Sequence, residues 1–205
     1  MRIFKKIKKN RGMTYVELIV VFSIFSVLSG VSIFNYGAFQ DKIDLRNLAN
    51  DIALEVFKAQ KDALSGVLPP FAQQALLVSP SSWKPSYGVY FNVIADDKSL
   101  FYFTDVSPID GMNTDIACDG RGECLNKISI TRNNKIGGLQ VFYQDGTNAI
   151  LNDLIITFVR PNSSAILYSN NLLLPSVSYV QITVTSPKGN TVLIKIYPSG
   201  RMQIN

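Results

Sequence analysis

A long uncharged segment near the N-terminus constrains this chain more than any other feature. Residues 18–40 contain no charge, and residues 18–34 are almost wholly apolar. As a helix, such a run is long enough to cross the roughly 30 Å of a bilayer's hydrocarbon core. A basic head, residues 1–12, precedes the run, and one acid, Glu17, lies at its start. The pattern predicts a single membrane-spanning helix with its N-terminus in the cytoplasm and the C-terminal domain outside.

The excess of positive charge belongs to the basic head. Six of the 20 Lys and Arg residues lie in residues 1–12, which contain no acid, and the rest of the chain has 14 basic and 15 acidic residues. The formal net charge of +5 therefore does not indicate a nucleic-acid-binding face, which needs a cluster of basic residues on the folded domain.

Glu17 needs a partner, because a charged carboxylate deep in hydrocarbon costs about 2.5–3.5 kcal/mol. No Lys or Arg in the following helical turns would neutralise it. The sequence therefore predicts that the partner of Glu17 belongs to another molecule.

The junction Lys9-Asn10-Arg11-Gly12-Met13-Thr14-Tyr15-Val16-Glu17 resembles the class III leader of type IV prepilins and pseudopilins. Those proteins have a short basic leader, a glycine before the cleavage site and a glutamate at the fifth position of the mature chain. Gly12 matches the glycine, Glu17 matches the acid, and Met13 stands where the family usually has phenylalanine. The resemblance implies that prepilin peptidase cleaves after Gly12, that the amine of Met13 is methylated, and that Glu17 pairs with the Met13 amine of a neighbour during assembly.

The same resemblance implies a function and a set of partners. The chain would be a structural subunit, a minor pilin or pseudopilin, of a type IV filament or a type II secretion pseudopilus. Its partners would be other pilins or pseudopilins, an inner-membrane assembly platform and a cytoplasmic assembly ATPase, and it would pass from the cytoplasmic membrane into an extracytoplasmic filament. Short patterns at 87–91, 101–105 and 199–201 resemble the minor pseudopilin group that includes the H subunit of general secretion.

The helical period continues beyond the apolar run as a stripe of residues spaced three or four apart: Leu45, Leu48, Ile52, Val56, Ala59 and Ala63. Gly66 is a natural C-cap, and Pro69-Pro70 prevents continuation of the helix. Alternating apolar and polar residues then predict strands at 87–94, 99–105, 127–132, 139–143, 154–159, 165–168, 178–185, 191–197 and 201–205.

These patterns predict an α+β fold class. A long N-terminal helix, membrane-spanning in its first half and amphipathic in its second, would pack on an antiparallel β-sheet or sandwich. The predicted domains are a leader at 1–12, the transmembrane and assembly half of the helix at 13–40, its amphipathic half at 41–66, and an extracytoplasmic β-rich domain at 67–205.

Two cysteines, Cys118 and Cys124, lie six positions apart with two glycines between them. The spacing favours a disulfide, with two free thiols as the alternative. A cysteine-based metal site is not expected, because the chain has no histidine and no second cysteine pair.

Catalysis is not expected either, and neither is a cofactor. The absence of histidine excludes Ser-His-Asp triads, Cys-His pairs and histidine-bound metals. Two binding alternatives stay open. The acidic loop 110–123 offers oxygen ligands for Ca²⁺ from Asp110, Asp115, Asp119 and Glu123. Weak nucleic-acid binding, as in a minor pilin for DNA uptake, would use two groups of basic residues: Lys188, Lys195 and Arg201, and Lys127, Arg132 and Lys135.

A different class of protein would also explain the apolar run. A membrane-anchored binding module could present the β-rich domain to an external ligand without forming a polymer. Such an anchor has no need of Gly12 or Glu17, so these two residues discriminate between the filament hypothesis and the binding-module hypothesis.

Processing of the leader is directly testable. We expect the mature protein to begin at methylated Met13, and we expect Gly12→Asp to retain the leader because a peptidase that accepts glycine before the cut has little room for a larger side chain. Mass spectrometry of the intact protein from its native host reports both outcomes, and a wild-type protein that keeps Met1 would contradict the prepilin interpretation.

Overall fold

A computed structural model describes residues 12–74, 77, 84–106, 118 and 122–205. The chain divides into two compact units, Met1–Gln40 and Asp41–Asn205. Apart from Gly12, the predicted leader lies outside the described residues.

The main helix, α1, runs from Tyr15 to Ser65 and is 51 residues long. It ends as the sequence predicts, because Gly66 adopts a φ of 69°, a conformation that costs glycine little. The N–H of Gly66 donates to the carbonyl of Ala63 and the N–H of Val67 to that of Asp62, both at 3.2 Å. These two bonds form a Schellman motif, which confirms Gly66 as the C-cap. A single-turn helix, α2, follows at Phe71–Gln74.

The prediction that the first half of the helix spans a membrane is wrong. A spanning helix needs about 20 consecutive, predominantly apolar residues. Along the part of the chain that the structure describes, no helix is both long and apolar enough to cross a membrane. This finding also overturns the single-pass location in the cytoplasmic membrane and corrects the fold class, whose main component is antiparallel sheet.

Two antiparallel sheets make up most of the second unit. Sheet A has six strands in the order β3-β2-β1-β6-β7-β8, and sheet B has five in the order β11-β10-β9-β4-β5. The strands are β1 (Ser86–Asn92), β2 (Asp96–Thr104), β3 (Cys124–Ser129), β4 (Lys135–Tyr143), β5 (Asn148–Leu151), β6 (Asp153–Val159), β7 (Ala165–Ser169), β8 (Leu172–Leu173), β9 (Val177–Thr185), β10 (Thr191–Ile196) and β11 (Met202–Ile204).

All nine predicted strands are present, with ends shifted by a few residues. Two short edge strands, β5 and β8, were not predicted, because two to four residues show too little alternation. Asn92 pairs with Asp96, so the turn between β1 and β2 comprises the three residues between them. The Asn92 side chain explains this register, because its Oδ1 accepts the N–H groups of Ile94 and Ala95 at 3.0 and 2.8 Å.

One hydrophobic core joins the second part of α1 to both sheets. The α1 stripe in this core is at most 1% exposed and consists of Leu45, Ala49, Ile52, Val56, Ala59 and Ala63. Leu48, which the sequence pattern placed in the stripe, is only partly buried, and Ala49 takes the fully buried position. Sheet A contributes residues such as Val89 and Ile156, and sheet B residues such as Ile182 and Ile194.

The other face of sheet A carries a second, smaller cluster formed by Tyr90, Phe101, Phe103, Cys124 and Ile155. Sheet A is therefore apolar on both faces in its central strands, which explains the unbroken burial of β1, β2 and β6.

Polar contacts hold α1 against the strands at two places. The hydroxyl of Tyr102 in β2 donates to Asp62 Oδ2 at 2.6 Å, and burial together with this carboxylate raises the pKa of Tyr102. Asp41 Oδ2 accepts from Asn190 Nδ2 at 2.5 Å and from Ser186 Oγ at 2.7 Å. These hydrogen bonds, that of Asn190 first, lower the pKa of Asp41.

Two substitutions on α1 test the orientation of the stripe. Ile52→Ala removes a fully buried side chain and should lower the free energy of unfolding by about 2–5 kcal/mol. Leu54→Ala, at a side chain that is 62% exposed, should change it by less than about 0.5 kcal/mol. Urea unfolding of the full chain measures both, and equal effects would contradict this packing.

Candidate assembly surface of the N-terminal helix

The helix in the Met1–Gln40 unit exposes apolar side chains along its length. Their exposed fractions run from 43% at Leu18 to 78% at Tyr15, and the set comprises Met13, Tyr15, Val16, Leu18, Ile19, Val20, Val21, Phe22, Ile24, Phe25, Val27, Leu28, Val31, Tyr36 and Phe39. We call this set the apolar helix surface. A helix that is apolar on all sides is normally covered, and a contiguous exposed patch of this kind marks an interaction site.

Glu17 is the only charged residue that the structure describes between Gly12 and Gln40, and it lies in the first turn of α1. Its Oε2 accepts the N–H of Thr14 at 2.9 Å and the hydroxyl of Thr14 at 3.1 Å. In return, the N–H of Glu17 donates to Thr14 Oγ1 at 3.3 Å. This reciprocal pair is a capping box, in which Thr14 is the N-cap.

Glu17 therefore has a hydrogen-bonding partner in its own chain, and a charged partner from another molecule stays a prediction. Thr14 provides two donors from the same chain, and these bonds, the backbone one first, lower the pKa of the Glu17 carboxyl. The sequence contained the signal, since Thr-x-x-Glu before an apolar run is the pattern of a capping box. All these bonds use Oε2, and among the described residues Oε1 receives no hydrogen bond.

Gly12 and Met13 precede the helix and are exposed. A Cβ placed on Gly12 would meet no atom within 4 Å, so the described part of the chain does not need glycine there for packing. The predicted cleavage site is thus an accessible, non-helical segment next to the capping box.

Cys118 and Cys124 form a disulfide, with Cα atoms 4.9 Å apart. Cys124 opens β3 and is buried in the smaller cluster on sheet A, against which Cys118 also packs. The bond thus joins Cys118 to the first residue of β3 on the outer face of sheet A.

The proposed calcium ligands Asp110, Asp115 and Asp119 lie outside the described residues. Glu123 is described and is only 4% exposed, and its Oε1 accepts the N–H of Val106 at 3.0 Å. Within the described ranges, no group of acids and cysteines is arranged to hold a metal ion.

The two basic groups differ in their surroundings. In the group on and near β3 and β4, Lys127 pairs with Asp96 at 2.7 Å, Lys135 pairs with Asp97 at 3.3 Å, and Arg132 pairs with Asp44. Because each of these charges has an acidic partner, this group offers little attraction to a phosphate backbone.

The second basic group contacts aromatic rings on sheet B. Lys195 Nζ lies 4.9 Å from the centre of the Tyr179 ring, and Arg201 Cζ lies 4.1 Å from that of Tyr197. The Tyr179 ring stacks at 4.5 Å on Phe142. Phe142, Tyr179 and Tyr197 thus pack on one another, and the basic side chains lie over two of these rings. Such cross-strand contacts stabilise a sheet surface.

A scan against protein families, a search of curated proteins and a search of solved structures found no match to this chain.

The capping box has a measurable consequence for titration. Hydrogen bonds to a carboxylate favour its charged form, so NMR titration of the Glu17 carboxyl should give a pKa below the ordinary 4.5. The stabilisation of the helix start should be complete above pH 4.5 and should be lost as the pH falls through the lowered pKa. Thr14→Ala should bring the pKa back toward 4.5, whereas Thr14→Ser should keep it low; equal values in all three proteins would argue against the capping box.

Proposed function

We propose that this protein is a structural subunit, a minor pilin or pseudopilin, of a type IV filament or a type II secretion pseudopilus. In this proposal prepilin peptidase removes residues 1–12, and copies of the chain or related pilins then pack through their N-terminal helices. An assembly platform and its ATPase would drive the addition of subunits.

The apolar helix surface is the observation that carries the proposal. Fifteen large apolar side chains are exposed there, and burying them against equivalent helices would remove a large apolar area from water. At about 25 cal/mol per Å² such burial is a strong driving force for association. A helix covered by like helices is the arrangement that the resemblance to pilins implies.

The segment before the helix supports the processing step. Gly12 has no packing role among the described residues, so the fold does not compete with a requirement for glycine that another molecule would set. A peptidase that binds the residue before the cut in a narrow pocket provides such a requirement. Cleavage there would leave the Met13 amine one residue before the N-cap Thr14.

One carboxylate oxygen of Glu17 accepts hydrogen bonds within the chain, and the other is available to accept one from a neighbour. Oε2 holds the helix start through Thr14, while Oε1 receives no hydrogen bond among the described residues. A protonated amine on a neighbouring Met13 would bind Oε1 as a charge-assisted pair. Burial between helices strengthens this pair and makes an unpaired amine costly, so Glu17 would select the axial position of each subunit.

Substitutions at Glu17 separate the capping role from the charge-pairing role. Glutamine accepts the same hydrogen bonds at this position of a capping box but has no charge. We therefore expect both Glu17→Gln and Glu17→Val to reduce incorporation into filaments about tenfold or more, because both leave the neighbour's amine unpaired. The measurement is co-purification with the major subunit in sheared filaments, at equal cellular abundance.

Asp51→Asn is the matched control, since it removes an exposed acid further along α1 and should incorporate as wild type does. Normal incorporation of Glu17→Gln together with loss of Glu17→Val would assign Glu17 to capping alone. Absence of the wild-type protein from sheared filaments would contradict the filament proposal and favour a binding module that does not polymerise.

A further inference from the structure

An open surface cavity of about 480 Å³ lies on the outer face of sheet A, at one end of β1 and β6. Its lining comprises Tyr90, Asn92, Ile94, Ala95, Asn152, Asp153, Asn170 and Asn171. Its size is within the range of small-molecule sites, which are about 300–1,000 Å³. Neither the apolar helix surface nor the filament proposal involves this cavity.

Two deeply buried polar groups converge on the cavity. Tyr90 is 4% exposed and Asp153 is 8% exposed. They lie on neighbouring strands, because Tyr90 pairs with Ile155 and Asn92 pairs with Asp153. Burial raises the pKa of Tyr90, and the charge of Asp153 adds to this effect, so the hydroxyl keeps its proton at neutral pH.

Each of these groups has unused hydrogen-bonding capacity. The Tyr90 oxygen accepts from Asn92 Nδ2 at 2.7 Å, and within the described residues its own proton has no acceptor. Asp153 Oδ1 accepts from Ser169 Oγ and from the N–H of Asn170, both at 2.9 Å, whereas Oδ2 receives no hydrogen bond from the described residues. One hydrogen-bond donor and one acceptor with unused capacity thus belong to residues that line the same cavity.

The β7–β8 turn completes the cavity with amide groups. Asn170 and Asn171 have φ values of 50° and 58°, as a two-residue type I′ turn requires. Asp153 Oδ1 holds this turn through the N–H of Asn170. With Asn152, the turn places three exposed amide side chains around the opening, and each amide both donates and accepts.

The chemistry of the lining decides the class of ligand. Among the described residues no Lys or Arg lines the cavity, which disfavours an anion. A cation such as Ca²⁺ needs several oxygen ligands, yet Asp153 is the one carboxylate that the described lining contains, and its Oδ1 already accepts two hydrogen bonds. Alternating donors and acceptors beside the apolar Ile94 and Ala95 match a ring with hydroxyl groups on its edge and C–H groups on its face.

We propose that this cavity binds a neutral pyranose sugar, with the Tyr90 hydroxyl donating to one sugar oxygen and Asp153 Oδ2 accepting from a sugar hydroxyl. The amides of Asn152, Asn170 and Asn171 bind the remaining hydroxyls. Ile94, which is 75% exposed, contacts the C–H face of the ring. A single sugar ring in such an open site binds with a Kd on the order of 1 mM.

The test is saturation-transfer NMR of the full chain with the methyl glycosides of glucose, galactose and mannose, in a nonionic detergent that contains no sugar. We expect transfer to at least one glycoside. Tyr90→Phe removes only the hydroxyl and should weaken binding about 3- to 10-fold. Asn171→Gly removes an amide but keeps the positive φ, and should weaken binding by a similar factor even if Tyr90→Phe unfolds the protein.

Tyr197→Phe is the matched control, because it removes a tyrosine hydroxyl from sheet B and should leave binding unchanged. Absence of transfer to every glycoside would overturn the proposal, and so would transfer that Tyr90→Phe and Asn171→Gly leave unaltered. Shifts of the Asn171 amide signals on addition of CaCl₂, without any response to the glycosides, would overturn it in favour of a cation site. None of these results depends on filament assembly, so failure here leaves the filament proposal standing.

Discussion

Packing of the α1 stripe against both sheets is the interaction on which the Asp41–Asn205 unit depends. Ala49, Ala59 and Ala63 are fully buried, and their short side chains allow large residues of the strands to approach the helix. Hydrogen bonds from Tyr102 to Asp62 and from Asn190 to Asp41 then hold the helix against one strand of sheet A and one turn of sheet B. Because one core joins helix and sheets, the faces of the sheets that point away from it are left for other contacts.

The two parts of α1 use apolar residues in different ways. In the Asp41–Asn205 unit they occupy one stripe and are buried by the same chain, whereas in the Met1–Gln40 unit they occupy all sides and are exposed. Intramolecular burial thus stabilises the folded domain. In the other unit, the exposed apolar side chains would favour association with another apolar surface. In the proposed filament, Glu17 would link helix formation to association, since its Oε2 accepts from Thr14 and its Oε1 would accept from a neighbour.

The outer faces of the two sheets have different chemistry. On sheet B, Lys195 and Arg201 lie over tyrosine rings, which extends a stabilised solvent face. On sheet A, Tyr90 and Asp153 keep unused hydrogen-bonding capacity in a cavity without cations. For this cavity on the outer face of sheet A we propose a neutral, hydroxyl-rich ligand.

Local periodicity in the sequence predicted the second part of α1 and nine of the strands. Single residues and short spacings predicted the end of the helix at Gly66 and a cysteine pair close enough to form a disulfide. These features depend on residues a few positions apart, so they are visible in the chain itself. The Thr14–Glu17 capping box is equally local, because its Thr-x-x-Glu pattern spans only four residues. The tertiary structure alone decided how the strands divide between two sheets and where the cavity at Asp153 lies. It also decided that Ala49, and not Leu48, is fully buried in the stripe, and that no helix among the described residues spans a membrane. Each of these depends on pairing between distant segments, such as β1 with β6, or on burial, and no short-range pattern encodes either.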